Sequence, residues 1–123
     1  MKILQVIGGL ASSSGTTPAV LALSNRLAAA GHHVDIFYVS GRTPDTVRPF
    51  NPRVGLEGFP LTGPRLWAGS RSLYEALMAR AGDYDLVQGY SLWLFTNIAV
   101  SRACHRAGRP YIISPQGALD DWA

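Results

Sequence analysis

The sequence predicts an α/β fold, an open parallel sheet of about five strands with helices on both faces. Two patterns predict it. Short apolar runs rich in β-branched residues alternate with longer segments whose apolar residues recur at helical spacing. Glycine punctuates the segment ends, at Gly8, Gly31, Gly82 and Gly108. Alternation of this kind needs crossover connections, which are right-handed and place the strands parallel. With 123 residues, 47% hydrophobic and 15% charged, the chain has the length of one domain and the apolar content to fill a core. A disordered tail is excluded.

Each element has its own local reason. Lys2–Ile7 reads as a strand buried on both faces, closed by Gly8-Gly9. A polar stretch, Ser12 to Thr16, leads to Thr17 as N-cap and Pro18 as first helical residue. Val20, Leu23, Leu27 and Ala30 then form one apolar stripe, and Gly31 stops the helix. Val34–Val39 is the second strand, and Val54 and Leu56 mark a weaker third within Arg53–Phe59. Leu66, Ser70, Leu73, Leu77 and Ala81 recur at helical spacing, with Ser72 and Glu75 as a capping box and Gly82 as the stop. Trp67 and Tyr74 lie on or beside that stripe and read as core. Leu86–Gly89 is the fourth strand, Phe95 to Ala103 a helix ending at Gly108-Arg109-Pro110, and Tyr111–Ser114 the fifth strand. Gly41–Gly63 is too proline-rich to assign.

Composition excludes several classes. The single cysteine, Cys104, rules out an intramolecular disulfide framework and reads as a packed thiol in a reducing compartment. No apolar run approaches the roughly 20 residues of a membrane span, and Gln5 interrupts the short apolar start that a signal peptide would need. A cytoplasmic location is expected. The net charge of +3 sits entirely between Arg42 and Arg71, where five arginines face Asp45 and Glu57 among five prolines. Such a segment attracts anions, and Arg48, Arg53 and Arg65 are the expected contacts to an anionic acceptor or a membrane surface met peripherally. Without a lysine cluster or stacking platform, nucleic acid is not an expected partner. His32 and His33 follow a helix stop, where a cation meets the negative helix end, and adjacent histidines do not chelate as an i, i+4 pair does. No metal is expected. His105 reads as solvent-facing, and Asp120 and Asp121 as helix-capping carboxylates.

In an open parallel sheet, ligands bind beyond the carboxyl ends of the strands, where strand order reverses. Three segments fall there: Gly8–Thr17, Gly89–Trp93 and Ser114–Gly117. The first holds Gly8, Gly9 and Gly15, so its backbone offers close approach, and it opens a helix whose free N–H groups suit phosphate. It is neither a phosphate-binding loop with its lysine nor a G-x-G-x-x-G fingerprint. Val39 leads into Ser40, so the acid that would hold a dinucleotide ribose is missing and a nucleotide-dependent oxidoreductase is disfavoured.

Several of these runs together resemble the N-terminal domain of family-4-type retaining glycosyltransferases, enzymes of two facing Rossmann-like domains (the GT-B fold). The resemblance lies in the Gly8-Gly9 to Gly15 loop, Ala29-Ala30-Gly31-His32-His33-Val34, Tyr84-Asp85-Leu86-Val87, Leu92-Trp93, and above all Gly108-Arg109-Pro110 through Ser114-Pro115-Gln116-Gly117 to Trp122-Ala123. It implies a domain that takes part in sugar transfer from a nucleotide sugar to a glycan or lipid-linked acceptor, without a cofactor. Gly8, Gly9 and Gly15 would lie toward the donor phosphates, and Trp93, Gln116 and Gly117 toward the acceptor. Two departures stand out. A His-x-His-Gly-x-Trp pattern is replaced by Gln88-Gly89-Tyr90-Ser91-Leu92-Trp93, and the histidine often found within Ser-Pro-x-Gly is replaced by Gln116. Glutamine hydrogen-bonds a hydroxyl but accepts no proton near neutral pH. The family also carries a second, donor-binding domain. The 123 residues therefore read as one incomplete acceptor-side domain, inactive alone and prone to self-association through an uncovered sheet edge. A non-catalytic interaction module from a truncated transferase gene is the alternative.

Overall fold

A computed structural model describes residues 1–12, 16–41, 46–64, 67–90 and 94–114. Among them, strands β1 (Lys2–Ile7), β2 (His33–Ser40), β3 (Gly55–Pro60), β4 (Leu86–Tyr90) and β5 (Tyr111–Ser114) form one parallel sheet in the order β3-β2-β1-β4-β5. The chain steps outward from β1 to β3, then returns to β4 and steps outward again to β5. Right-handed crossovers in opposite directions must lie on opposite faces. Helix α1 (Thr16–Ala29) and segment 46–54 accordingly cover one face, and α2 (Arg71–Arg80) and α3 (Phe95–Ala107) the other. The expected α/β, Rossmann-like sheet is what the chain forms.

β1 is central and alternates its side chains between two cores. Leu4 and Val6 join Phe37, Val39, Leu73, Leu77, Val87 and Val100 on the α2/α3 face. Ile7 joins Val20, Val34, Ile36, Val54 and Tyr90 under α1. A Cβ on Gly89 would stand 2.7 Å from Asn97 Oδ1 and 2.9 Å from Ile113 Cδ1, so α3 and β5 close directly onto the β4 backbone.

Left-handed glycines end two helices as expected: Gly31 (φ 97°) and Gly108 (φ 67°). Other ends differ from the sequence reading. α1 begins at Thr16, so Thr17 is its second residue rather than its cap, and Pro18 still falls in the first turn, where no N–H is needed. Its buried face is Thr17, Val20, Ser24 and Ala28; Leu23 is 37% exposed and Ala30 lies outside. α2 is capped by Ser70 rather than Ser72, because Ser70 Oγ accepts the Leu73 N–H at 3.3 Å. Gly82 does not stop that helix: Ala81 caps it in right-handed geometry and the chain continues as a 3-10 turn over Ala81–Asp83. The core residues of α3 are Thr96, Ala99, Val100, Ala103 and Cys104, while Ile98 and Arg102 are exposed.

Polar contacts tie the amino end of the sheet. Tyr84 Oη donates to Asp35 Oδ2 at 2.6 Å, and His33 Nε2 lies 3.0 Å from the same oxygen. The Lys2 amide donates to Asp85 Oδ2 at 2.7 Å, and Arg80 pairs with Glu57 at 2.6 Å. Burial, then the Asp35 contact, push the Tyr84 phenol well above its ordinary range.

Under α1 the core is less well satisfied. Gln5 is fully buried with neither amide atom hydrogen-bonded among the described residues, and Thr17 Oγ1, Ser24 Oγ and Tyr90 Oη share that condition. Each such atom costs about 1–3 kcal/mol. Gln5→Met, close in shape and apolar, is therefore expected to stabilise the chain by about 1–2 kcal/mol. Thermal unfolding followed by circular dichroism should show a midpoint higher by roughly 4–8 °C, and a lower one would mean that the amide is paired. Burial also pushes the Tyr90 phenol up to about 12. An unfolded tyrosine ionises near pH 10, so the Tyr90 contribution is intact below that pH. It is lost as pH rises toward about 12, where only the folded chain still holds the proton. Ultraviolet phenolate titration should show this late step, and Tyr90→Phe should remove it and flatten the alkaline loss of stability.

Candidate functional site

Strand order reverses between β1 and β4, and the loops that follow these strands flank the crevice there. Gly8 and Gly9 leave β1 buried, without left-handed backbone, and lead to buried Leu10 and Ala11. The first turn of α1 sits at the same edge with buried Thr17. Tyr90 closes β4 at the position of the second missing histidine and is 2% exposed. Like any tyrosine it is a neutral phenol at physiological pH, and burial only pushes its ionisation further up. Gly15, Trp93, Gln116, Gly117, Arg65, Asp120 and Asp121 lie outside the described residues.

A concave surface at this edge runs between the amino ends of α2 and α3. A cavity of about 430 Å³ is lined by Trp67, Tyr74, Phe95, Arg71 and Arg102, and an adjoining one of about 720 Å³ shares Trp67 and Arg102 and reaches Ile98 and Ile113. The three rings form a chain: Trp67 meets Phe95 edge-on with centroids 5.2 Å apart, and Phe95 meets Tyr74 at 6.1 Å. Arg71 is paired with Glu75 across one exposed helical turn, at 3.2 Å. Arg102 has no ion pair among the described residues.

Trp67 is not core, contrary to the sequence reading; it is 44% exposed. A closed turn holds it out. Thr62 and Gly63 amides both donate to the Gly69 carbonyl, at 2.9 and 3.1 Å, and a Cβ on Gly69 would come within 3.1 Å of Gly63 Cα. Ala68, fully buried, adopts φ 57°, a left-handed conformation that costs a non-glycine residue about 1 kcal/mol. The Arg71 amide donates to Thr62 Oγ1 at 2.8 Å and Ser70 Oγ to the Pro60 carbonyl at 2.8 Å, fastening the turn to α2 and β3. The signal available in the sequence was the bracketing of Trp67 by Gly63-Pro64 and Gly69, which breaks the helical stripe.

The remaining sequence candidates fall elsewhere. His32 and His33 lie at the opposite end of the sheet, His32 Nδ1 3.2 Å from the N-terminal ammonium and His33 beside Asp35. His105 is exposed. Cys104 is buried in the α2/α3 core, which pushes its thiol pKa up. The arginine-rich segment divides: Arg48 and Arg53 lie in the 46–54 segment on the α1 face, and Arg71 on the other. No described helix is long and apolar enough to cross a membrane.

Among curated proteins, none matches the sequence. The crystal structure of the C-terminal domain of a hydrogenase from Pyrococcus furiosus aligns with 92% of this chain and 90% of its own, at a TM-score of 0.60 and 18% identity. That likeness shows the fold alone. A family model described as glycosyl transferase 4-like domain matches residues 14–123, and with it the resemblance read from the loops becomes membership: the chain belongs to the glycosyl transferase 4-like domain family.

Proposed function

We propose that this chain is the acceptor-side half of a retaining glycosyltransferase, which transfers a sugar from a nucleotide sugar to a glycan or lipid-linked acceptor. The observation that carries the reading is Trp67, held into a groove at the ligand edge by a strained turn and flanked by Phe95 and Arg102. The hydrophobic C–H face of a sugar ring stacks on an exposed indole, and a guanidinium donates to hydroxyls or anionic substituents. Gly8 and Gly9, with Gly15, would lie toward the donor diphosphate, and Trp93, Gln116 and Gly117 beside the acceptor. The reacting acceptor hydroxyl would be positioned by hydrogen bonds from neutral groups. Proton acceptance falls to groups beyond those described at this edge, since Tyr90 is a neutral phenol and Gln116 an amide.

Saturation-transfer NMR of the chain with a panel of mono- and disaccharides tests the groove. Contact is expected through ring protons, with affinity at least about tenfold weaker in Trp67→Ala, a loss of some 1.4 kcal/mol. Sugars that bind the variant equally, or not at all to the parent, would overturn the assignment. Nucleotide binding tests the division of labour. Gly8 and Gly9 present backbone only, and no cation lies beside them in sequence to grip a diphosphate. Calorimetry against common nucleotide sugars should therefore give dissociation constants weaker than about 10 μM, and no turnover. Tighter binding would place the donor site within this chain.

A further inference from the structure

The α1 face has a chemistry that sugar transfer does not use. Segment 46–54 is pinned along its length: the Val47 amide donates to the Leu10 carbonyl at 2.7 Å, the Asn51 amide to Asn25 Oδ1 of α1 at 2.9 Å, and Val54 is buried. Asn51 Oδ1 accepts the Arg53 amide at 2.9 Å and its carbonyl accepts the Val54 amide at 3.1 Å, making a tight turn. These ties leave Phe50 standing out, 94% exposed. A lone exposed apolar side chain is ordinary. A phenyl ring fixed away from the core, between two prolines and two arginines in Arg48-Pro49-Phe50-Asn51-Pro52-Arg53, is less so.

Among the described residues, charge on the same face is of one sign. α1 and segment 46–54 carry Arg26, Arg48 and Arg53 and no carboxylate. All three arginines are exposed, and none is in an ion pair among the described residues. The described carboxylates lie elsewhere: Asp35 with Tyr84, Glu57 with Arg80, Glu75 on α2, Asp83 after it, and Asp85 with the Lys2 amide. Among the described residues, no carboxylate on this face offsets the positive field.

We propose that the α1 face docks on an anionic lipid bilayer, with Phe50 entering the headgroup region and Arg26, Arg48 and Arg53 meeting lipid phosphates. An aromatic ring at the tip of a pinned turn gains from the interface what the fold denies it, and guanidinium groups around it match the negative surface. With so few cations the contact is weak and reversible. It does not depend on the sugar-transfer reading.

Co-sedimentation with vesicles of about one-third phosphatidylglycerol in phosphatidylcholine, at low salt, tests it. Binding is expected there, at least about tenfold weaker on pure phosphatidylcholine and largely lost near 0.5 M salt. Phe50→Ser, which keeps the charge, and the pair Arg48→Gln with Arg53→Gln, which keeps the ring, should each lower partitioning about tenfold with unchanged circular dichroism and melting. Hydrogen exchange on vesicles should slow in segment 46–54 and in the exposed face of α1. Equal binding by both variants, no preference for the anionic lipid, or sedimentation without vesicles through self-association would overturn the proposal.

Discussion

The structure depends on the burial of β1 at the centre of the sheet. Its backbone is paired on both sides, from Lys2↔His33 to Ile7↔Tyr38 with β2 and from Ile3↔Leu86 to Val6↔Gly89 with β4. A strand so enclosed leaves no free edge and is largely apolar on both faces, through Ile3, Leu4, Val6 and Ile7, with buried Gln5 the polar exception. Because the chain leaves β1 in one direction and returns on its other side, handedness alone divides the helices between the faces. The same reversal gathers the loops after β1 and β4 at one edge and opens a crevice between them. The amino ends of the strands are held closed by Tyr84–Asp35 and Lys2–Asp85, so the two ends of one sheet have different tasks.

Most of that frame was legible, for local reasons. Gly31 and Gly108 ended helices because left-handed backbone is cheap only for glycine. β5 matched its expected limits, and β4 ran one residue longer, to Tyr90. Where reading failed, a nearby competitor had won. Ser70, not Ser72, caps α2 because its hydroxyl also reaches the Pro60 carbonyl, a contact with β3 that spacing within the helix does not reveal. The α1 stripe rotated toward Thr17 and Ser24 since the core under it admits polar side chains, Gln5 and Tyr90 among them. Helical spacing read through Gly69 drew Trp67 into the core, whereas the Gly63–Gly69 pinch ejects it. The segregation of the described carboxylates from the α1 face is likewise invisible in the sequence, because it depends on which face each crossover takes.

The two faces present different surfaces to their surroundings. On the α2/α3 side, aromatic rings and Arg102 line a concavity with room for a small polar ring system. On the α1 side, a pinned turn projects Phe50 among arginines that have no ion pair among the described residues. A concave surface selects by shape and stacking, whereas a convex one with a single aromatic tip adheres to a soft surface. The ligand edge lies between them, so a chain resting on its α1 face would still leave the groove open.

The groups at the ligand edge also limit its chemistry. Among the described residues neither cavity is lined by a carboxylate or a histidine. Tyr90 is a neutral phenol, its pKa raised further by burial, and the thiol of Cys104 is buried in the core away from the edge, its pKa also raised. What the described residues of the edge offer is rings, guanidinium groups, hydroxyls and backbone amides, all suited to orienting a polar ligand and poorly suited to taking a proton from it. Positioning by itself supplies a large share of the rate in transfer reactions, since it removes the entropic cost of bringing two substrates together. Groups of these kinds serve a polar ligand by placement. On the proposed reading, the charge on a departing nucleoside diphosphate would call for cations or aligned dipoles on the opposite side of the reacting bond, which the two described cavities, with Arg71 already paired to Glu75, leave largely to other groups.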